Sequence, residues 1–191
     1  MADVKSILIV GVGGQGTLLA SKILGKALVD LGFDVKVSEV HGMSQRGGSV
    51  VTYVRYGEKV NSPIIELGEA DILLSFEQLE AARFLPYLKK GGTVIVNTQQ
   101  LDPMSVVTGA AEYPIGLIEA IESKGASVVC TDALELAKQA GSVKAVNVVL
   151  IGVMAKNTDI DKQVWLDTIS STVPEKFKEL NIKAFELGYN N

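Results

Sequence analysis

Cysteine is nearly absent from this 191-residue chain: Cys130 is the only one, and His41 is the only histidine. A single thiol excludes an internal disulfide and any conventional four-cysteine zinc or iron–sulfur site built by this chain alone. Basic clusters are missing as well. The 18 Lys and Arg and 22 Asp and Glu leave a net charge of −4 with no basic block. That argues against nucleic acid as a partner, because phosphates select clustered Lys and Arg. Long apolar runs are also scarce: the longest helical one, Ala145–Ala155, is about half a membrane span, so no membrane partner is expected. Asp3 and Lys5 precede a strand-length run that ends in glycines, unlike a signal peptide, and a cytoplasmic protein is the expectation. Serine-elbow, P-loop, metal-ligand and internal-repeat patterns are missing too.

What is present is apolar sequence in short pieces. Mean hydropathy is +0.27, high for a chain without a membrane span, and strands buried on both faces explain the surplus. A subunit interface would add to it. Candidate strands are Ile7–Val12, Val35–Val40, Ser49–Tyr56, Asp71–Phe76, Thr93–Thr98 and Ser127–Cys130, most of them Val/Ile/Leu runs rather than strict alternations. Candidate helices are Gln15–Leu31, Gln78–Lys89, Gly116–Ser123, Ala133–Ala140, Ala145–Lys156, Lys162–Ser171 and Glu175–Leu187. Gly32, Gly91-Gly92, Gly125 and Gly141 stand where helices usually stop. No linker divides the chain, so residues 1–191 read as one domain.

One connection breaks the α/β alternation. Between Val40 and Ser49 lie only eight residues, three of them glycine, too few for a parallel crossover, which needs roughly ten to twelve or more. The fold expected is therefore a three-layer, Rossmann-like open α/β sheet, mostly parallel with one antiparallel strand pair. After about residue 143 the chain reads as helices only, which either cover the sheet or reach a partner. Ala145–Ala155 is apolar nearly all round and needs cover from its own core or another subunit.

The candidate site begins where the first strand ends. Gly11, Gly13 and Gly16 fit G-x-G-x-x-G, with Gly14 beside them, between a buried strand and a helix start. Such a turn lets a ligand approach the backbone, and the helix start offers N–H groups and partial positive charge to an anion. The alternative is a turn that merely packs strand on helix. Gln15 and Thr17 stand ready to bond a ligand, and Thr17 equally to cap the first turn. Glu39, 23 positions after Gly16, is near the place of a ribose-binding acid, but an unusual loop follows it rather than a second βα unit. That loop, His41–Gly48, gathers the one histidine with Ser44, Gln45, Arg46, Gly47 and Gly48. Arg46 can clamp a carboxylate or phosphate bidentately; an ordinary partner-contact loop is the other reading. Asn97 and Ser75 stand near the strand ends where open α/β sheets bind ligands, or else form turns. Cys130, in an apolar strand, reads as a small core residue.

Gly11–Thr17, the Glu39–Val50 stretch with Arg46-Gly47-Gly48, and Asn147–Gly152 together resemble the gamma-type domain of the ferredoxin-dependent 2-oxoacid oxidoreductases. The resemblance spans nearly the whole chain. Val-Ser-Glu-Val-His-Gly-Met-Ser-Gln-Arg-Gly-Gly-Ser-Val, residues 37–50, looks most like the beta subunits of the indolepyruvate ferredoxin oxidoreductases. The resemblance implies an accessory subunit that works with a large alpha subunit carrying thiamine diphosphate and iron–sulfur clusters. Such complexes convert aryl pyruvates and coenzyme A to aryl-acetyl-CoA, carbon dioxide and reduced ferredoxin. No Gly-Asp-Gly…Asn-Asn pattern for thiamine diphosphate occurs in this chain, which matches that division of labour. Gly11, Gly13, Gly14, Gln15, Gly16, Thr17, Arg46, Gly47 and Gly48 are then the candidates for touching coenzyme A or the partner's active-site edge, and no catalytic residue is assigned. A stand-alone nucleotide- or CoA-binding protein, or an NAD(P)-dependent oxidoreductase, stays open as the alternative.

Overall fold

The computed structural model describes residues 4–41 and 48–191. Six strands form one sheet: β1 (Lys5–Val12), β2 (Asp34–His41), β3 (Ser49–Gly57), β4 (Ala70–Ser75), β5 (Leu88–Asn97) and β6 (Ser127–Thr131). Their spatial order is β2-β3-β1-β4-β5-β6. β1, β4, β5 and β6 run parallel. The short return after Val40 gives the antiparallel pair expected of it, β2 with β3, His41 opposite Val50. β3 also inserts between β2 and β1 and pairs antiparallel with β1, Val12 opposite Ser49. One reversed strand thus makes two antiparallel ladders.

The helices are α1 (Thr17–Asp30), α2 (Gln78–Phe84), α3 (Met104–Val107), α4 (Leu117–Ser123), α5 (Ala133–Ala140), α6 (Val146–Lys156), α7 (Lys162–Thr172) and α8 (Lys178–Tyr189). Side chains of β1 alternate between two cores. Ile7 and Ile9 join the one built with α1 and α5 to α8, while Leu8 and Val10 join Ala81 of α2 and Ile121 of α4 on the other face. The result is three layers, as the short apolar strands require.

Two expectations need correction. The helix from Gln78 ends at Phe84, not Lys89, because Pro86 has no N–H to continue it; a 3-10 turn, Leu85–Tyr87, leads straight into β5. Gly91 and Gly92 accordingly lie inside β5 and stop no helix. A side chain on Gly92 would come within 3.0 Å of the Asp71 carbonyl of β4, beside the register shift between Ala70 and Ile72. The second correction is Cys130, which is exposed rather than core, because β6 is an edge strand with apolar cover on few sides.

The apolar helix finds its cover within the chain. Every residue of α6 from Val146 to Ala155 is buried, between the sheet and α5, α7 and α8. Gly152 and Gly188 bring α6 and α8 into backbone contact: a Cβ on Gly152 would stand 2.2 Å from the Phe185 carbonyl oxygen, and one on Gly188 2.0 Å from that of Val149. Both positions need glycine for space alone.

Candidate functional site

The glycine turn follows β1 at the edge formed by the C-terminal ends of β1, β4 and β5. From β1 the chain leaves for β2 and β3 on one side, and from β4 for β5 and β6 on the other. The crevice between β1 and β4 is therefore the topological switch point, where open α/β sheets place ligands. Here Gln15 bridges it. Its Oε1 accepts the Val12 N–H at 2.7 Å, and its Nε2 donates to the Phe76 carbonyl at 2.9 Å and to Gln99 Oε1 at 3.4 Å. The Gln15 amide is thus committed to joining the two strand ends.

The glycines have separate reasons. A Cβ on Gly11 would lie 2.9 Å from both Gln15 Oε1 and Phe76 Cβ, so Gly11 makes room for the bridge. Gly16 is the N-cap of α1 with φ +87°, and a Cβ there would stand 2.7 Å from Asn147 Nδ2. Asn147, buried at the start of α6, donates that Nδ2 to the Gly16 carbonyl at 3.3 Å. Among the described residues nothing lies within 4 Å of a Cβ built on Gly14, at φ +99°. No side chain caps α1, so the capping alternative for Thr17 falls away: it is the first helical residue, buried, with its Cγ2 3.3 Å from the place of a Gly11 Cβ. Among the described residues the helix start beside Gly14 has no side-chain cap, and its N–H groups are of the kind that meets an anion.

The structure brings Gly48 to this turn, its carbonyl accepting the Gly13 N–H at 2.9 Å. Arg46 and Gly47 lie outside the described residues. Next in the chain, Ser49 Oγ donates to Glu80 Oε2 at 2.5 Å, and Arg83 pairs with the other oxygen at 2.7 Å. Asn97 and Ser75 take the turn-forming role. Ser75 Oγ donates to the Glu77 carbonyl at 2.6 Å; Asn97 Nδ2 donates to the Phe76 carbonyl at 3.1 Å, and its Oδ1 accepts the Ala133 N–H at the start of α5.

Sequence reasoning missed Glu77. It is fully buried, caps α2 by accepting the Glu80 N–H at 3.0 Å, and accepts the Leu101 N–H at 3.2 Å and the Tyr113 hydroxyl. Burial, then the Glu77 carboxylate, push the Tyr113 phenol well above its usual range. The readable signal was an acidic residue just before a helix; its partners, 24 and 36 residues on, were not readable. Cys130 offers no reactive thiolate, since partial burial and the Glu122 and Glu119 carboxylates push its thiol up.

Glu39 is misplaced for a ribose. It accepts from Thr52 Oγ1 at 3.2 Å within the β2–β3 ladder, and β3 separates β2 from β1. Strands sit about 4.8 Å apart, so it stands roughly twice that distance from the strand carrying the glycine turn. An open cleft of about 670 Å³ lies at the opposite edge of the sheet, lined by Ile7, Phe33, Tyr56, Asp71, Lys89 and Asp161 among others. Three of its charged residues are engaged in the fold: Lys89 pairs with Asp71, which also accepts the Ser6 N–H, and Asp161 caps α7. Among the described residues no group of three His, Cys, Asp or Glu is placed to hold a metal ion, and no helix is long and apolar enough to cross a membrane.

A mostly parallel sheet with one reversed strand, and a glycine turn at its switch point, define a Rossmann-like α/β domain whose second strand is set apart from the glycine turn. The chain belongs to the pyruvate ferredoxin/flavodoxin oxidoreductase family, which it matches over residues 6–191. It is 43% identical over 190 residues to the indolepyruvate oxidoreductase subunit IorB of Thermococcus kodakarensis, covering 96% of this chain and 93% of that one. The ketoisovalerate oxidoreductase subunit VorA of Methanothermobacter marburgensis is 29% identical over 95% of this chain, which spans only 35% of that longer protein. Among solved structures, the gamma subunit of a keto/oxoacid ferredoxin oxidoreductase from Geobacter sulfurreducens superposes with a TM-score of 0.72 at 27% identity, covering 97% and 96% of the two chains.

Proposed function

We propose that this chain, acting as one domain, is the accessory (beta) subunit of a thiamine- and iron–sulfur-dependent 2-oxoacid:ferredoxin oxidoreductase of the indolepyruvate type. The observation that carries this reading is the 43% identity, over nearly the full length of both chains, to an indolepyruvate oxidoreductase subunit. The complex decarboxylates indolepyruvate and other aryl pyruvates oxidatively, forming aryl-acetyl-CoA and passing electrons to ferredoxin. Thiamine diphosphate and the clusters supply the bond-breaking and electron chemistry and belong to a large alpha subunit, because one exposed cysteine cannot hold a cluster. This chain's part is positional. The Gly14 backbone and the uncapped start of α1 face an anion, coenzyme A or a partner group; Gln15 and Asn147 hold that backbone in place. Arg46 and Gly47, beside Gly48 in sequence, complete the anion-binding set.

The test is reconstitution. The chain by itself is inactive, and adding it to the large subunit restores aryl-pyruvate-dependent ferredoxin reduction; full activity of the large subunit alone refutes the proposal. Arg46→Ala raises the apparent KM for CoA, whereas failure of assembly instead assigns Arg46 to the interface. The competing nicotinamide reading requires saturable NAD(P) binding by the isolated chain, and calorimetry decides it. The placement of Glu39 two strands from the glycine turn speaks against it.

A further inference from the structure

The connection from β5 to α4 is far longer than the fold needs. Residues 98–116 form a 19-residue link holding only the four-residue α3, where βα loops commonly take two to six residues and long ones are usually functional. It leaves the sheet at the same edge as the glycine turn. Its two ends are pinned to that edge. The Leu101 N–H and the Tyr113 hydroxyl donate to the same oxygen of the buried Glu77, and the Gln78 side-chain amide donates to the Thr98 carbonyl at 2.5 Å. Between these pins, and just past Tyr113, the segment exposes apolar side chains. Met104 and Val107, neighbours one turn apart on α3, are 72% and 66% exposed, and Ile115 is 96% exposed. Single exposed apolar residues need no explanation; three in 12 residues, on a strap clamped by a buried carboxylate, do. The segment also carries no Lys, Arg or His, only Asp102 and Glu112.

We infer that this strap is the docking element for the large subunit, with Met104, Val107 and Ile115 entering an apolar recess whose rim is basic. The inference rests on the accessory-subunit reading above. Two observations select this occupant: the strap's acidic and apolar character calls for a basic-rimmed apolar receptor, and the strap adjoins the edge assigned to the shared active site. The Glu77–Tyr113 clamp holds the strap in shape before binding, which lowers the cost of ordering it on contact.

The test measures the dissociation constant between this chain and the large subunit for Met104→Asp with Val107→Asp. Leu67→Asp is the control, as exposed at 67% but located before β4, at the far edge of the sheet. The strap variant, folded with an unchanged melting temperature, binds on the order of 100-fold more weakly, and the control binds normally. Tyr113→Phe, which frees the strap without altering its surface, weakens binding to a lesser degree. Normal binding by the strap variant overturns the inference while leaving the accessory-subunit reading intact. Failure of the unmodified chain to bind any large subunit overturns both.

Discussion

Gly16→Ala tests whether the glycine turn is shaped by packing. Gly16 sits at φ +87°, and a left-handed backbone costs an L-residue about 1–2 kcal/mol. The new Cβ would also stand 2.7 Å from Asn147 Nδ2. Asn147 must then move and lose its bond to the Gly16 carbonyl, and leaving a buried amide unpaired costs about 1–3 kcal/mol. Together the substitution should destabilise the protein by about 2–5 kcal/mol. Gly14→Ala, at φ +99° with nothing among the described residues within 4 Å of its Cβ, carries only the backbone cost, about 1–2 kcal/mol. In a Gly16→Ala/Asn147→Ala double variant the overlap disappears, so the two changes should couple favourably by about 1–3 kcal/mol. Urea unfolding followed by the fluorescence of Trp165, the single tryptophan and fully buried, measures the unmodified protein, these three variants and Asn147→Ala. Equal losses for Gly14→Ala and Gly16→Ala, or strict additivity in the double variant, would refute the packing argument.

Gly152→Ala drives a methyl into the Phe185 carbonyl at 2.2 Å and parts α6 from α8; thermal unfolding should show a loss of about 3 kcal/mol, the upper range of overpacking, and an unchanged midpoint would contradict it. Asp34 is held below its usual range by Lys36 and by the Val60 N–H at 2.8 Å. Its stabilising contribution is therefore present above the ordinary value near 3.8 and lost as pH falls through the lower folded value. Asp34→Asn should flatten the acid limb of the stability curve, and an identical limb would count against the pairing. Tyr113, pushed up by burial and Glu77, works in the opposite direction: its contribution is present below the ordinary value of 10.0 and lost as pH rises through the higher folded value. Tyr113→Phe should reduce the alkaline loss of stability seen in denaturation titrations above that pH, and no change in slope would remove the Glu77 clamp from the account.

The sheet was legible because its strands are compact Val/Ile/Leu runs whose period and length leave few alternatives. Eight residues between Val40 and Ser49 sufficed to foresee the hairpin-like return. They could not show that β3 would enter between β2 and β1, since strand order depends on pairings made far apart in sequence. Pro86 was the overlooked signal at α2, and at Cys130 the apolar neighbours Val128 and Val129 suggested a core that an edge strand does not provide. At the site, the turn's position was readable but the duties within it were not. Gln15 meets Phe76 across 61 residues and Asn147 meets Gly16 across 131, and no local pattern announces either contact.

These contacts limit what G-x-G-x-x-G can say. In a dinucleotide fold the motif and an acidic residue on the adjoining strand share one ligand. Here Gly11 is required by the Gln15 bridge and Gly16 by Asn147, so two of the three spaced glycines follow from packing before any ligand is considered. The discriminating feature lies after the motif. Insertion of β3 beside β1 moves Glu39 away and puts the Gly48 carbonyl against the Gly13 N–H, so no acid of β2 stands where a ribose would need one. The glycine spacing marks the switch-point edge of the sheet, and the strand inserted beside it decides which residues stand next to that edge.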